Sequence, residues 1–186
     1  MTADKIYLVG FMACGKSSVA RALAARLGWQ AQDIDDLIEA RERRSIAEIF
    51  AREGEPYFRS VEREMLRLIL PLRHAVVATG GGTFADPDNR AAIVRDGLAV
   101  WIDVPLPELV TRLPTDGRRP LAADRAQLER LYASRVEGYR GANVRIDAAG
   151  RPITEVVDRI VEALEHSSAL VVSPGDNGTP PAARVD

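Results

Sequence analysis

The chain has 186 residues, 46% hydrophobic and 28% charged, with 25 Lys and Arg against 27 Asp and Glu and a formal net charge of −2. That length suits one domain, by the usual span of about 100–200 residues, and the ordinary apolar and charged content excludes a chain disordered throughout. The mild acidity argues against a nucleic-acid binder that works by bulk attraction to phosphate, and one cysteine with two histidines excludes a disulfide framework or a metal site of several thiolates or imidazoles.

The predicted elements alternate along the chain. Residues 6–9 are a short β-rich run ending at Gly10. This apolar stretch is too short for a signal-peptide core, and a membrane span needs about 20 apolar residues, so a soluble, cytoplasmic protein is expected. Residues 17–27 carry Val19, Ala20, Leu23, Ala24 and Leu27 at helical spacings of three and four. Gly28 stands where a helix-ending glycine belongs. A weak strand follows at 30–32. Ser45 and Glu48 form a capping-box pattern that opens a helix; Gly54 interrupts it, and a longer helix covers 56–70. Residues 75–78 read as a buried strand, and Asp86 before Pro87 as an N-cap with proline at the first helical position. Residues 98–104 are the clearest strand. Helices over about 107–113 and 124–138 flank a loop, 144–146 form the last strand, and 153–165 form an amphipathic helix. Strands separated by helices argue a parallel sheet covered on both faces. From Ser167 to Asp186 the periodicity gives way to Pro, Gly and Ser, the composition of a disordered tail.

The segment Gly10-Phe11-Met12-Ala13-Cys14-Gly15-Lys16-Ser17 fits G-x-x-x-x-G-K-[ST], with a strand before it and a helix after it. Glycines let N–H groups converge on a phosphate, and the helix start adds about half a unit of positive charge. Lys16 can reach the β- and γ-phosphates, and Ser17 offers a hydroxyl to Mg²⁺. Cys14, beside a lysine at a helix start, is either a reactive thiol or a small spacer.

Asp33 and Asp35 end the weak second strand. On an extended segment both point the same way, toward the carboxyl end of the sheet where ligands bind in open α/β folds. One suits Mg²⁺ held through water, the other a substrate hydroxyl; the competing reading has Asp35 capping the next segment. Asp103, at the end of the apolar strand, competes with Asp33 for the metal role. Arg59 and Glu62 are three apart on a helix and can pair, as a surface ion pair worth at most ~1 kcal/mol or as a device that aims Arg59 at an anion. Three successive glycines, Gly80, Gly81 and Gly82, are entropically costly and suit a close backbone approach to a ligand. Arg118 and Arg119 lie in a loop between helices, where an arginine closing on a triphosphate can contribute about 10³–10⁵ in rate.

These residues in order resemble the shikimate kinase family over residues 5–164. The series is the phosphate loop, Asp33-x-Asp35, Ser45-Ile46-x-Glu48-Ile49-Phe50, Gly54-Glu55-x-x-Phe58-Arg59-x-x-Glu62, Gly80-Gly81-Gly82, Arg119-Pro120-Leu121 and Arg135. The resemblance implies an α/β fold, a three-layer P-loop kinase with a five-stranded parallel sheet flanked by helices and a mobile lid. It implies one kinase domain over 1–166, with the lid at about 113–124 and a substrate-binding helical region at about 35–62.

The implied reaction moves the γ-phosphate of ATP to the 3-hydroxyl of shikimate, with Mg²⁺, on the route to chorismate and the aromatic amino acids. The implied protein is a cytoplasmic monomer with no nucleic-acid or membrane partner. By the resemblance Ala13, Cys14, Gly15, Lys16, Ser17 and Ser18 bind ATP, Arg112, Arg151 and Pro152 lie near the adenine, and Arg119 is the lid arginine. Lys16, Asp35 and Arg119 carry catalysis, with Asp35 the base. Asp35, Arg59, Gly81, Gly82 and Arg135 bind shikimate, the two arginines gripping its carboxylate. Ser17 and, through water, Asp33 hold the metal.

The chain departs from the family pattern in three places. Ala13-Cys14 and Ser18 replace the commoner Gly-Ser and Thr. The stretch from Arg119 to Arg135 is short, and Glu137-Gly138-Tyr139 stands where Pro-x-Tyr is expected. The alternatives are a gluconate-type kinase and a non-catalytic nucleotide-binding regulator. An acceptor without a carboxylate leaves Arg59 and Arg135 unexplained; intact Lys16, Ser17, Asp33 and Asp35 argue against the regulator.

Overall fold

The structure, a computed structural model, describes residues 4–113 and 125–169. The expected lid with Arg119, and residues 170–186 of the expected tail, lie outside the described residues. Five strands, β1 (Lys5–Val9), β2 (Gln30–Asp33), β3 (Ala75–Ala78), β4 (Leu98–Asp103) and β5 (Val144–Asp147), form one sheet in the order β2-β3-β1-β4-β5. Every neighbouring pair is parallel. The helices are α1 (Lys16–Leu27), α2 (Ile34–Glu42), α3 (Ile46–Ile69), α4 (Pro87–Asp96), α5 (Leu106–Arg112), α6 (Arg125–Tyr139) and α7 (Ile153–Ala169).

The three inner strands are apolar without alternation because helices cover both faces of the sheet. Ile6 to Val9, Ala75 to Ala78 and Ala99 to Ile102 are all buried. β2 and β5 are edge strands, β2 with exposed or half-buried residues throughout and β5 with only Ile146 buried, which is why Gln30-Ala31-Gln32 signals so weakly. Its strand character comes from pairing with β3, Gln30 opposite Ala75 and Asp33 opposite Ala78. The connections that leave the adjacent strands β1 and β4 run to opposite edges of the sheet. That divergence opens a crevice above their carboxyl ends, directly over the phosphate loop.

Two expectations are corrected. Asp33 and Asp35 are not a pair on one extended segment. Asp33 ends β2 and is itself the N-cap of α2, accepting the Asp35 N–H at 2.9 Å, while Asp35 lies in the first helical turn. The last helix continues to Ala169, past the Ser167 where a disordered tail was expected to begin. Ser45 and Glu48 form the expected capping box, and α3 runs on across a kink where Gly54 takes φ 79° two residues before Pro56. The kink separates the turn carrying Phe50 from the long segment carrying Arg59 and Glu62.

At the opposite end of the sheet, Lys5 is fully buried. Its Nζ donates to the carbonyls of Ile69 (3.1 Å) and Leu70 (2.8 Å) and to Asp96 (2.6 Å), tying the end of α3 to the end of α4. Tyr7 donates to the same carboxylate. Removing one partner of a buried pair costs about 3–5 kcal/mol. Asp96 keeps Tyr7, so Lys5→Met is expected to lower the unfolding free energy by about 2–3 kcal/mol in urea titration; a loss below about 0.5 kcal/mol contradicts that role.

Candidate active site

The phosphate loop leaves β1 at Val9 and enters α1 at Lys16. Ala13 (φ 62°) and Gly15 (φ 95°) both take left-handed backbone, which turns N–H groups inward as an anion-binding concavity. Gly15 supplies no side chain to cap α1, so the first N–H groups of that helix are open to an anion. Lys16 is 8% exposed, its Nζ donating to the carbonyls of Gly10 (2.9 Å) and Phe11 (2.8 Å). Ala13 pays a local penalty for its left-handed φ, of the order of 1 kcal/mol for a residue with a Cβ. Ala13→Gly is therefore expected to raise the melting temperature by about 2 °C; a fall in differential scanning fluorimetry would contradict this.

Of the two readings of Cys14, burial favours the small spacer. Cys14 is 3% exposed, its Sγ packed 3.6 Å from Lys16 Nζ, and it does not line the cleft.

A cleft of about 650 Å³ opens above the loop. Of the expected site residues, it brings together Ala13, Gly15, Lys16, Ser17 and Ser18 with Asp33, Asp35, Arg59, Gly81, Gly82, Arg112 and Arg135. Arg151 and Pro152 are not among its lining residues. Arg151 is engaged instead with Glu155 and Asp147. The adjacent Gly150 N–H donates to Glu108 (3.0 Å), which also holds Arg112, so the Arg151 loop borders the cleft through α5.

The glycine run is not shaped only for a ligand. A Cβ on Gly80 would stand 2.5 Å from Glu62 Oε1 and 3.2 Å from Asp35 Oδ1. One on Gly81 would stand 3.1 Å from Arg135 Nη1, and one on Gly82 would stand 2.6 Å from Arg59 Nη1. Three consecutive residues thus abut a carboxylate and two guanidiniums in turn, and any side chain there would displace one of them.

The Arg59–Glu62 pair is not a surface ion pair. Glu62 is 1% exposed and accepts Arg59 Nη1 at 2.9 Å and the Thr83 hydroxyl at 2.6 Å, while Arg59 also bonds Glu55. Burial, the largest influence on Arg59, opposes its charge, but Glu62 and Glu55 outweigh it and its pKa is raised. Arg135 differs. It is 5% exposed and stacks over the Phe11 ring at 5.6 Å, and no carboxylate forms an ion pair with it among the described residues. Burial, and then repulsion from Arg59, hold its pKa below the usual arginine value. A buried guanidinium without a carboxylate is unfavourable unless a ligand supplies one.

Several lining residues carry no role in the sequence reading: Met12, Phe50, Phe58, Thr79, Asp36 and Glu39. Phe50 and Phe58, 4.7 Å apart between ring centroids, form an apolar wall beside Arg59. Both stand inside the motifs quoted above, and only their convergence across the α3 kink marks them. Burial, and then the charge of Asp33, raise the Asp36 carboxyl pKa.

Comparison with known proteins follows this geometry closely. Residues 12–165 match the family described as SKI, shikimate kinase. The chain is 39% identical over 157 residues to the shikimate kinase of Persephonella marina, covering 84% of this chain and 96% of that one. It is 42% identical over 163 residues to that of Geobacter metallireducens, covering 86% and 91%. Among solved structures, the shikimate kinase of Acinetobacter baumannii in complex with shikimate superposes with a TM-score of 0.84 at 30% identity, over 89% of this chain and 95% of that one. The enzyme of Aquifex aeolicus gives 0.79 at 31%, over 89% and 98%. The thymidylate kinase of Candida albicans, at 16% identity and a TM-score of 0.54, shares the fold alone.

Proposed function

This chain belongs to the shikimate kinase family, and from that premise we propose how its own residues divide the work. It is an ATP-dependent phosphotransferase with the α/β P-loop kinase fold, and its acceptor is the 3-hydroxyl of shikimate. The observation that carries the division of roles is the glycine run, with Asp35 against Gly80, Arg135 against Gly81 and Arg59 against Gly82. A carboxylated triol needs a bidentate cation for its carboxylate and an acceptor for its hydroxyls. Here both chemistries converge on one short loop beside the phosphate loop.

Arg59 and Arg135 hold the acceptor's carboxylate, with N–H groups of Gly81 and Gly82 beside them. Asp35 takes the hydrogen bond of the attacking hydroxyl and receives its proton. Lys16 and the uncapped start of α1 hold the phosphates of ATP, and Ala13 to Ser18 wrap them. Arg112 lies on the nucleotide side, with Arg151 and Pro152 at its border. The role of Arg119 rests on the motif Arg119-Pro120-Leu121. Phosphoryl transfer asks for positioning and charge stabilisation more than covalent chemistry, and these residues supply both.

A magnesium ion fits the donor set. The Ser17 hydroxyl and the Asp33 carboxylate both line the cleft, and both are hard oxygen ligands. One Asp33 oxygen already accepts the Asp35 N–H, and among the described residues no group of three or more His, Cys, Asp or Glu is placed to hold a metal alone. Ser17 would hold the ion directly and Asp33 would hold it through water, on the nucleotide's side of the cleft. When bound, it neutralises charge on the phosphates. Asp103, its competitor, is instead committed to Arg145 at 2.6 Å. No helix among the described residues is long and apolar enough to cross a membrane.

The test is ADP release with MgATP and shikimate, quinate, gluconate or no acceptor. Release that depends on shikimate is expected. Release with gluconate and not shikimate would overturn the acceptor while keeping the fold.

A further inference from the structure

The last turn of α6 is bolted to the glycine loop. Its final residue, Tyr139, is 1% exposed, and its phenol donates a hydrogen bond to the Gly81 carbonyl. Trp101 backs the ring, 5.9 Å away between centroids. Burial pushes the phenol's pKa upward, so it remains a donor at working pH. Arg135 sits four residues earlier on the same helical face, with its Nη1 3.1 Å from where a Gly81 Cβ would be. One turn of helix thus delivers both the buried guanidinium and the bond that fixes the peptide beside it.

Gly138 makes this seat possible. A Cβ there would stand 2.9 Å from the Ala85 Cα, a backbone atom, and 3.2 Å from Arg90 Nη1. Arg90 reaches across this space and donates to the Phe84 carbonyl at 3.3 Å. Where the family pattern has Pro-x-Tyr, this chain therefore keeps the tyrosine and seats its helix by close backbone contact.

We propose that Tyr139 is a positioning residue for acceptor binding, holding the Gly81–Gly82 peptide in register with Arg135, with Gly138 permitting the approach. The loop's own turns are closed by Thr83 N to Gly80 O (3.2 Å) and Ala85 N to Gly82 O (3.1 Å), which leave the N–H groups of Gly81 and Gly82 outside those turns. A peptide unit is planar and trans, so a carbonyl held from behind sets the direction of the N–H across the same bond. Fixing the Gly81 oxygen thereby aims the Gly82 N–H. The role rests on the assignment of Arg59 and Arg135 to the acceptor's carboxylate.

The experiment measures both KM values, for shikimate and ATP, in Tyr139→Phe, Gly138→Ala and Arg135→Ala, with folding checked by circular dichroism and melting. Tyr139→Phe keeps the ring and leaves the Gly81 carbonyl unheld; its shikimate KM is expected to rise about tenfold, with the ATP KM within about twofold. Gly138→Ala removes no polar group and favours helix, yet is expected to raise the shikimate KM severalfold by pushing α6 off the loop. A purely structural tyrosine would lower the melting temperature and leave the KM split unmoved. An unchanged shikimate KM in folded Tyr139→Phe, or equal rises in both KM values, overturns the proposal while a raised value in Arg135→Ala keeps the acceptor assignment. An unchanged value in Arg135→Ala overturns that assignment and the positioning role with it. Should Tyr139→Phe not fold, Gly138→Ala decides by the same split.

Discussion

Arg135→Ala raises the shikimate KM by about 10²-fold or more, leaves the ATP KM within about twofold, and does not lower the melting temperature. The affinity term follows from removing a desolvated guanidinium from a charged contact, which costs about 2–5 kcal/mol. The stability term follows from the same burial. Arg135 is 5% exposed and forms no ion pair with a carboxylate among the described residues; burial, the largest influence on it, outweighs the attraction of Tyr139, Glu62 and Glu55 and holds its pKa down, so removing it relieves an unfavourable charge. Arg59→Ala separates the two terms. It also raises the shikimate KM, but it strips Glu62, 1% exposed, of its guanidinium partner. Its unfolding free energy is expected to fall by about 2 kcal/mol, with the Thr83 hydroxyl still bonded to Glu62. Two arginines serving one ligand thus move stability in different directions. A melting temperature that falls equally in both variants would show that Arg135 is held by the fold itself and is not a site kept open for an anion.

Lys16→Met abolishes nearly all turnover at saturating ATP, with a drop in kcat of about 10²–10³ or more, the scale of losing one charged donor aimed at developing phosphate charge. In the structure its Nζ rests on the carbonyls of Gly10 and Phe11, within the loop that must wrap the phosphates. The change removes two hydrogen bonds within the phosphate loop, not from the sheet, so the fold survives and shikimate binding measured by calorimetry is retained. Turnover within tenfold of the unsubstituted enzyme would contradict the phosphate role of Lys16.

How legible each part was depended on how far apart in the chain its residues lie. The phosphate loop occupies one strand, one turn and one helix start, so its chemistry is written contiguously from Gly10 to Ser17. The capping box at Ser45 and the N-cap at Asp86 are contained within single turns, and both form as their spacing implies. The apolar runs of β1, β3 and β4 announce burial on both faces without any partner being known. The family motifs likewise place Arg59, Arg135 and Asp35 in one site, because their order along the chain is itself the signature.

Tertiary structure decided what depends on convergence. Gln30-Ala31-Gln32 has little strand character of its own and becomes a strand by pairing with β3. Asp33 and Asp35 look like one extended pair until α2 starts between them and gives one the cap and the other the first turn. Cys14 is open in sequence between a reactive thiol and a small spacer, and only the folded loop shows the thiol buried. Glu62 is open in sequence between a surface ion pair and a device that aims Arg59, and Lys5 carries no signal of its own; only packing against Thr83 and Arg59, or Asp96 and the end of α3, shows them buried and bonded. The reason for three successive glycines was hidden for the same cause. Glu62 and Asp35 crowd Gly80, Arg135 crowds Gly81 and Arg59 crowds Gly82, from α2, α3 and α6. A sequence states which conformations its own neighbours permit; which atoms arrive from distant parts of the chain is set by how the helices pack on the sheet.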